Sequence, residues 1–269
     1  MAEGRNQTSV FVAVACAAFC ATSACAPSMI DPGGARPIAD FRPSSHGYAF
    51  RNSFAERPLS FGWADRYIPW PTPYGLCGGM SLAAADYFLA ARSMPGTTEP
   101  PTPGSGEFAY IMSRQVESMG FLGWRALRFA QWMAMPDHSA RGTFRRTMLH
   151  WPTTRARLDA GEPAPLGLVY TSFRQGGVLW ENHQVLATSW RADALGVIDI
   201  TVYDPNYPGR DDVRIRLTPV VVHEAPGARD HDPPVPIMGY SGERIVPGLR
   251  PKPVRGMFAM GYTPRTPPQ

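Results

Sequence analysis

Three short stretches carry side chains that can do chemistry together. Tyr74-Gly75-Leu76-Cys77-Gly78-Gly79-Met80 delivers a cysteine through a glycine turn to the start of an apolar run. Trp180-Glu181-Asn182-His183-Gln184-Val185 sets a histidine at the opening of a β-patterned segment, just after Gly176-Gly177. Tyr203-Asp204-Pro205-Asn206-Tyr207-Pro208-Gly209 ends the next such segment with an aspartate. Each alone has an ordinary structural reading: a packed cysteine, a strand-end histidine, an Asp-Pro turn. Brought together, a thiol is a nucleophile, an imidazole can take its proton, and a carboxylate can hold the imidazole in place.

The surrounding pattern says how they are positioned. Residues 77–92 read as a helix, because Met80, Ala84, Tyr87, Phe88 and Ala91 recur at helical spacing. Cys77 then lies in its first turn, where unpaired N–H groups and the helix dipole favour a thiolate. The flanking glycines are expected to let a substrate backbone approach. Helical patterns return at 106–119, 124–134 and 141–160, the last broken at Trp151-Pro152, where proline suits a fresh helix start. Trp124, Phe129 and Trp132 are expected in the core. After Gly161 the segments 165–171, 183–191, 197–204, 213–217 and 256–262 read as strands.

Helices first and strands later predict an α+β fold with an antiparallel sheet. The strands 183–191 and 196–204 form a hairpin with its turn near Asp193–Leu195. Pairing Ala187 with Ile200 and Val185 with Val202 gathers Val185, Ala187, Ile198, Ile200 and Val202 on one apolar face. Gln184, Thr188, Asp199, Thr201 and Tyr203 take the other face, with Leu186 and Trp190. That register sets His183 directly across from Asp204. The carboxylate then holds one ring nitrogen and leaves the other for a thiol.

Composition narrows the class. The 269 residues carry 26 Gly and 29 Pro, with 44% hydrophobic and 18% charged residues. This is a loop-rich globular chain with enough aromatic residues to order a core. The net charge of +4 rests almost wholly on scattered arginines, Lys252 being the only lysine. No basic run forms, so nucleic acid is not an expected partner. No metal site or cofactor is expected either. Asp204 to Asp212 overlaps a calcium-loop spacing, but Ile215 stands where the bidentate Glu belongs. Asp230-His231-Asp232 lies in a proline-rich loop.

The beginning of the chain reads as an export signal. Residues 10–24 form an uncharged apolar stretch after Arg5, too short to span a membrane, ending in Thr22-Ser23-Ala24-Cys25. Small residues before a cysteine resemble the bacterial lipoprotein signal, which implies lipidation of Cys25 as the first mature residue and anchorage to a membrane. The expected organisation is a signal peptide at 1–24, a flexible lead-in at 25–45 and one domain at 46–269. A helical lobe at about 74–160 and a β lobe at about 161–269 make up that domain. Export removes Cys16 and Cys20 and leaves Cys77 as the only thiol of the folded body, so an internal disulfide framework is excluded.

The order Cys on a helix start, His at a strand start, Asp or Asn one strand later resembles the papain-like cysteine peptidases. The His-Gln-Val-Leu and Val-Tyr-Asp-Pro segments look most like the bacterial branch that includes the double-glycine (bacteriocin-leader) peptidases. The resemblance spans Tyr74–Asn206. It implies a papain-like fold and a peptide or protein substrate, while the export signal sets the expected location in the cell envelope, as a membrane-anchored lipoprotein or a periplasmic or extracellular protein. It assigns Cys77 as nucleophile, His183 as general base and Asp204 as orienter, with Asn206 the alternative orienter. Those families place a Gln about six residues before the Cys as an oxyanion donor. Here that stretch is Pro69-Trp70-Pro71-Thr72-Pro73-Tyr74, without an amide. The Cys77 backbone N–H remains, and Asn52 is the nearest upstream amide that could join it. Two functions follow: a thiol hydrolase or acyltransferase on peptide or amide bonds, or an inactive papain-like module that binds peptide or envelope components.

Overall fold

The computed structural model describes residues 40–56, 73–120, 123–223 and 236–269. The signal segment, Cys25, the lead-in as far as residue 39, the Pro69–Thr72 stretch and Asp230-His231-Asp232 lie outside the described residues.

Among the described residues the fold is α+β, with five helices and seven strands. The helices are α1 (Pro43–His46), α2 (Cys77–Leu89), α3 (Gly106–Ser118), α4 (Trp124–Ala134) and α5 (Thr143–Asp159). The strands are β1 (Ala164–Val169), β2 (His183–Ala192), β3 (Ile198–Tyr203), β4 (Arg214–His223), β5 (Pro236–Ile245), β6 (Lys252–Val254) and β7 (Gly256–Ala259). They form one antiparallel sheet in the order β6-β5-β4-β3-β2-β1-β7. β5 touches β7 although four strands separate them, so the sheet curls, and α5 packs on β7, β5, β2 and β1. None of the described helices is long and apolar enough to cross a membrane.

Helix α2 is the central element. Every residue from Gly78 to Leu89 is buried. Ala84, Ala85, Phe88 and Leu89 join the core under the sheet. Met80, Ala83 and Tyr87 join a second core with Phe108 and Ile111 of α3. A helix apolar on all sides belongs in the interior. Its far end is tied down by Asp86, which pairs with Arg114 Nε at 2.8 Å and accepts from Tyr110, Tyr262 and the Arg265 N–H.

Four expectations need correction. The body begins earlier than residue 46: Phe41 and Pro43 are buried, and Ser44 Oγ donates to Asp211 Oδ2 at 2.7 Å. Helix α5 runs unbroken through Pro152, because Thr143, Thr147, Trp151, Thr154 and Leu158 form one buried stripe whose packing outweighs the lost N–H. That helix packs on the sheet, so the division into lobes at residue 160 does not hold. Trp124 is 65% exposed, whereas Phe129 and Trp132 are core residues as expected.

Candidate active site

The register of β2 and β3 differs from the expected one, and the difference shapes the site. Leu186 pairs with Tyr203 and Ala187 with Val202; a bulge follows between Ala187 and Ser189, after which Trp190 pairs with Ile200. The first two pairs are two residues away from the expected register, which keeps the side-chain faces. The bulge then adds one residue and turns Trp190 inward. Its ring meets Trp151 of α5 at 5.4 Å, and its N–H donates to Asp159 Oδ1 at 2.8 Å. His183 and Asp204 are therefore not directly opposed.

They meet nonetheless. The chain leaves β3 at Asp204-Pro205 in a turn closed by the Asn206 N–H, which donates to Asp204 Oδ1 at 2.9 Å. The same oxygen lies 2.6 Å from His183 Nε2. Asp204 Oδ2 accepts from Arg244 Nη1 of β5 at 3.1 Å. Burial alone would raise the Asp204 carboxyl, but His183, Arg244 and the Asn206 N–H hold it below the ordinary carboxylate range. An ionised Asp204 puts the proton on Nε2.

Cys77 comes from the opposite side, in the first turn of α2, and is partly exposed. Cys77 lies close enough to the His183 ring for its charge to act on the imidazole. Asp204 occupies Nε2, so the ring nitrogen left for a thiol is Nδ1. Burial would depress the imidazole, but the charges of Asp204 and Cys77 and the hydrogen bond to Asp204 push it up to about 10. The site thus runs from a partly exposed cysteine to an aspartate only 1% exposed.

Gly78 and Gly79 have a different use from the expected one. A Cβ at Gly78 would overlap Ser118 Oγ and Gln184 Oε1, and one at Gly79 would overlap the Ile111 carbonyl. These glycines let α2 approach β2 and α3 closely; they do not open a path for substrate.

The N–H groups at the start of α2 are partly taken. Leu76 N–H donates to Asn52 Oδ1 at 2.6 Å, and Gly79 N–H donates to Gln115 Oε1 at 2.8 Å. Those of Cys77 and Gly78 have no acceptor among the described residues. Asn52 is itself held by its backbone, whose N–H donates to the Pro205 carbonyl at 3.0 Å. Because an N–H can only meet an acceptor, the Leu76 bond fixes which end of the Asn52 amide is oxygen. Its Nδ2 then faces Asn206 Oδ1 at 3.1 Å. That in turn leaves Asn206 Nδ2 toward His183 Nε2, at 3.3 Å. Two donors face each other there, so Asn206 does not hold the ring. Asp204 does, and Asn206 braces Asn52.

The structure brings together Cys77, His183, Asp204, Asn206 and Asn52. Cys25 lies outside the described residues. Arg244, Gln115 and Tyr207 were not legible as site residues. Arg244 sits in an unremarkable Gly-Glu-Arg-Ile strand, and only the sheet order brings it to Asp204. No family model, curated protein or solved structure matches this chain.

Proposed function

We propose that the chain is a papain-like cysteine hydrolase or acyltransferase that acts on peptide or amide bonds in the cell envelope. The observation that carries this reading is the buried His183 ring with Nε2 at 2.6 Å from Asp204 and with Cys77, at the start of α2, close enough for its charge to act on the ring. A merely structural histidine has no need of a buried anion on one nitrogen and a partly exposed cysteine at a helix start beside it.

The chemistry follows from the roles. The Cys77 thiolate attacks the carbonyl carbon and the carbonyl electrons move to oxygen. The Cys77 N–H and Asn52 Nδ2 stabilise that oxyanion. His183 gives its Nδ1 proton to the leaving amine, the C–N bond breaks, and a thioester remains on Cys77. A water or an acceptor amine then loses a proton to Nδ1 and attacks the thioester, returning the thiolate and imidazolium. Asp204 keeps Nε2 protonated throughout. Export, and lipidation at Cys25, would bring this site to envelope peptides; the N-terminal sequence supports that setting.

A p-nitrophenyl acetate burst, followed by mass mapping of the acetylated peptide, tests the reading. One acetyl group on Cys77 is expected, absent in Cys77→Ser. Acetylation elsewhere, or none on a folded chain, contradicts it.

A further inference from the structure

We infer that Arg244 is a positioning residue of this site, acting on His183 through Asp204 by keeping the carboxylate ionised and turned with one oxygen toward the ring. The inference rests on the hydrolase reading and adds to it a residue 40 positions away in the chain.

Asp204 Oδ1 already serves His183 and the Asn206 N–H. The hydrogen bond found at Oδ2 is the one from Arg244, at 3.1 Å. Arg244 is fixed in turn. Its Nη2 donates to the Tyr207 hydroxyl at 3.0 Å, and its guanidinium lies 4.9 Å from the Tyr207 ring centre and 5.6 Å from that of Tyr170. The fork is locked against the carboxylate in a buried place.

The charged and titratable groups around Asp204 come from every neighbouring element: Cys77 of α2, His183 of β2, Arg244 of β5 and Lys252 of β6. The phenols Tyr170, Tyr203 of β3 and Tyr207 and the carboxylate of Glu181, just before β2, complete the set. Lys252 stacks on Tyr170, its Nζ 4.0 Å from the ring centre. His183 imidazolium, Asp204 carboxylate and Arg244 guanidinium alternate in sign, with the carboxylate between its two cations. A buried carboxylate paired with its cations is tolerable; one that has lost a partner is not. Without Arg244 the carboxylate takes a proton or turns from the ring. Either change deprives His183 of its anion and Cys77 of its imidazolium.

The test measures iodoacetamide alkylation of Cys77 on the full chain at pH 6 and pH 10. Arg244→Met should slow alkylation about tenfold at pH 6, the size of effect usual for a group that orients a functional ligand. At pH 10, where a thiol ionises without help, the rate should stay within about twofold. Arg244→Lys, which keeps the charge, should recover most of the loss. In an Asp204→Asn background Arg244→Met should change little, since no carboxylate is left to hold. That double variant also leaves no uncompensated charge, so it remains informative if the single variant unfolds. Equal slowing in both backgrounds, or at both pH values, overturns the inference. A wild-type Cys77 that resists alkylation at pH 6 overturns the hydrolase reading and the inference with it.

Discussion

His183 Nε2 lies 2.6 Å from Asp204 Oδ1, although the two residues are not opposed in the β2–β3 ladder. The contact depends on the Asp-Pro turn that takes the chain out of β3, with the Asn206 N–H closing it. The orientation of the ring is therefore set by a turn and by a buried arginine, and the strand register alone does not supply it.

A base and the group that orients it differ in how far they can be replaced. His183→Ala should lower turnover about 10²–10⁴-fold, the range for loss of a general acid–base group. Asp204→Ala should lower it less, because the ring keeps its place at the start of β2. Steady-state rates on a peptide or ester substrate give the order. A larger loss for Asp204→Ala would contradict it.

The pH dependence of stability has a fixed sign. His183 is pushed up to about 10 in the folded chain, above its ordinary value of about 6.5. Its contribution is fully present below pH 6.5 and is lost as pH rises through about 10. Asp204 is depressed, so its contribution is present above the ordinary carboxylate range and is lost as pH falls through the lower folded value. Thermal unfolding of wild type and His183→Asn should converge above pH 10. A constant difference from pH 7 to pH 11 would contradict the assignment.

Asn52→Ala removes the amide beside Leu76 and Gly75. Loss of one oxyanion donor costs about 10²–10³ in kcat, with KM changed little. Asn52→Asp should do no better, because a carboxylate keeps the Leu76 contact but cannot donate. Normal turnover in either variant would leave the backbone N–H groups of Cys77 and Gly78 as the oxyanion donors.

At the other end of α2, Asp86 has a structural use. Its partners come from α3 and from the chain after β7. Asp86→Ala should destabilise the fold by about 1–3 kcal/mol, since it removes the buried acceptor shared by Tyr110, Tyr262 and Arg114 while Arg114 keeps its ion pair with Glu117. Denaturant unfolding measures this. The variant that remains folded should keep the wild-type rate of Cys77 alkylation.

Much of the helical part was legible in the sequence. Helices at 106–119 and 124–134 differ from α3 and α4 by at most one residue at an end, because their apolar residues recur at the helical period. The α+β class followed from the change of texture after Gly161. The β2–β3 register was not legible, because a bulge near Thr188 carries no residue signature and reverses the face of Trp190. Pro152 misled for a related reason: a buried stripe along α5 overrides a local preference. Cys77, His183 and Asp204 stood out by type and by flanking glycine or proline. Arg244 did not, since one arginine among many reaches Asp204 only through the order of strands in the sheet.

The most direct test of the account is the rate of iodoacetamide alkylation of Cys77 at pH 6, compared between wild type and His183→Ala and read by peptide mass mapping. A free thiol, with a reference pKa of about 8.5, is almost wholly protonated at that pH and reacts slowly. Rapid modification of Cys77 is expected in the wild type and at least about tenfold slower modification in His183→Ala, with equal rates once Cys77 is exposed in denaturant. Equal rates in the two folded proteins would contradict it.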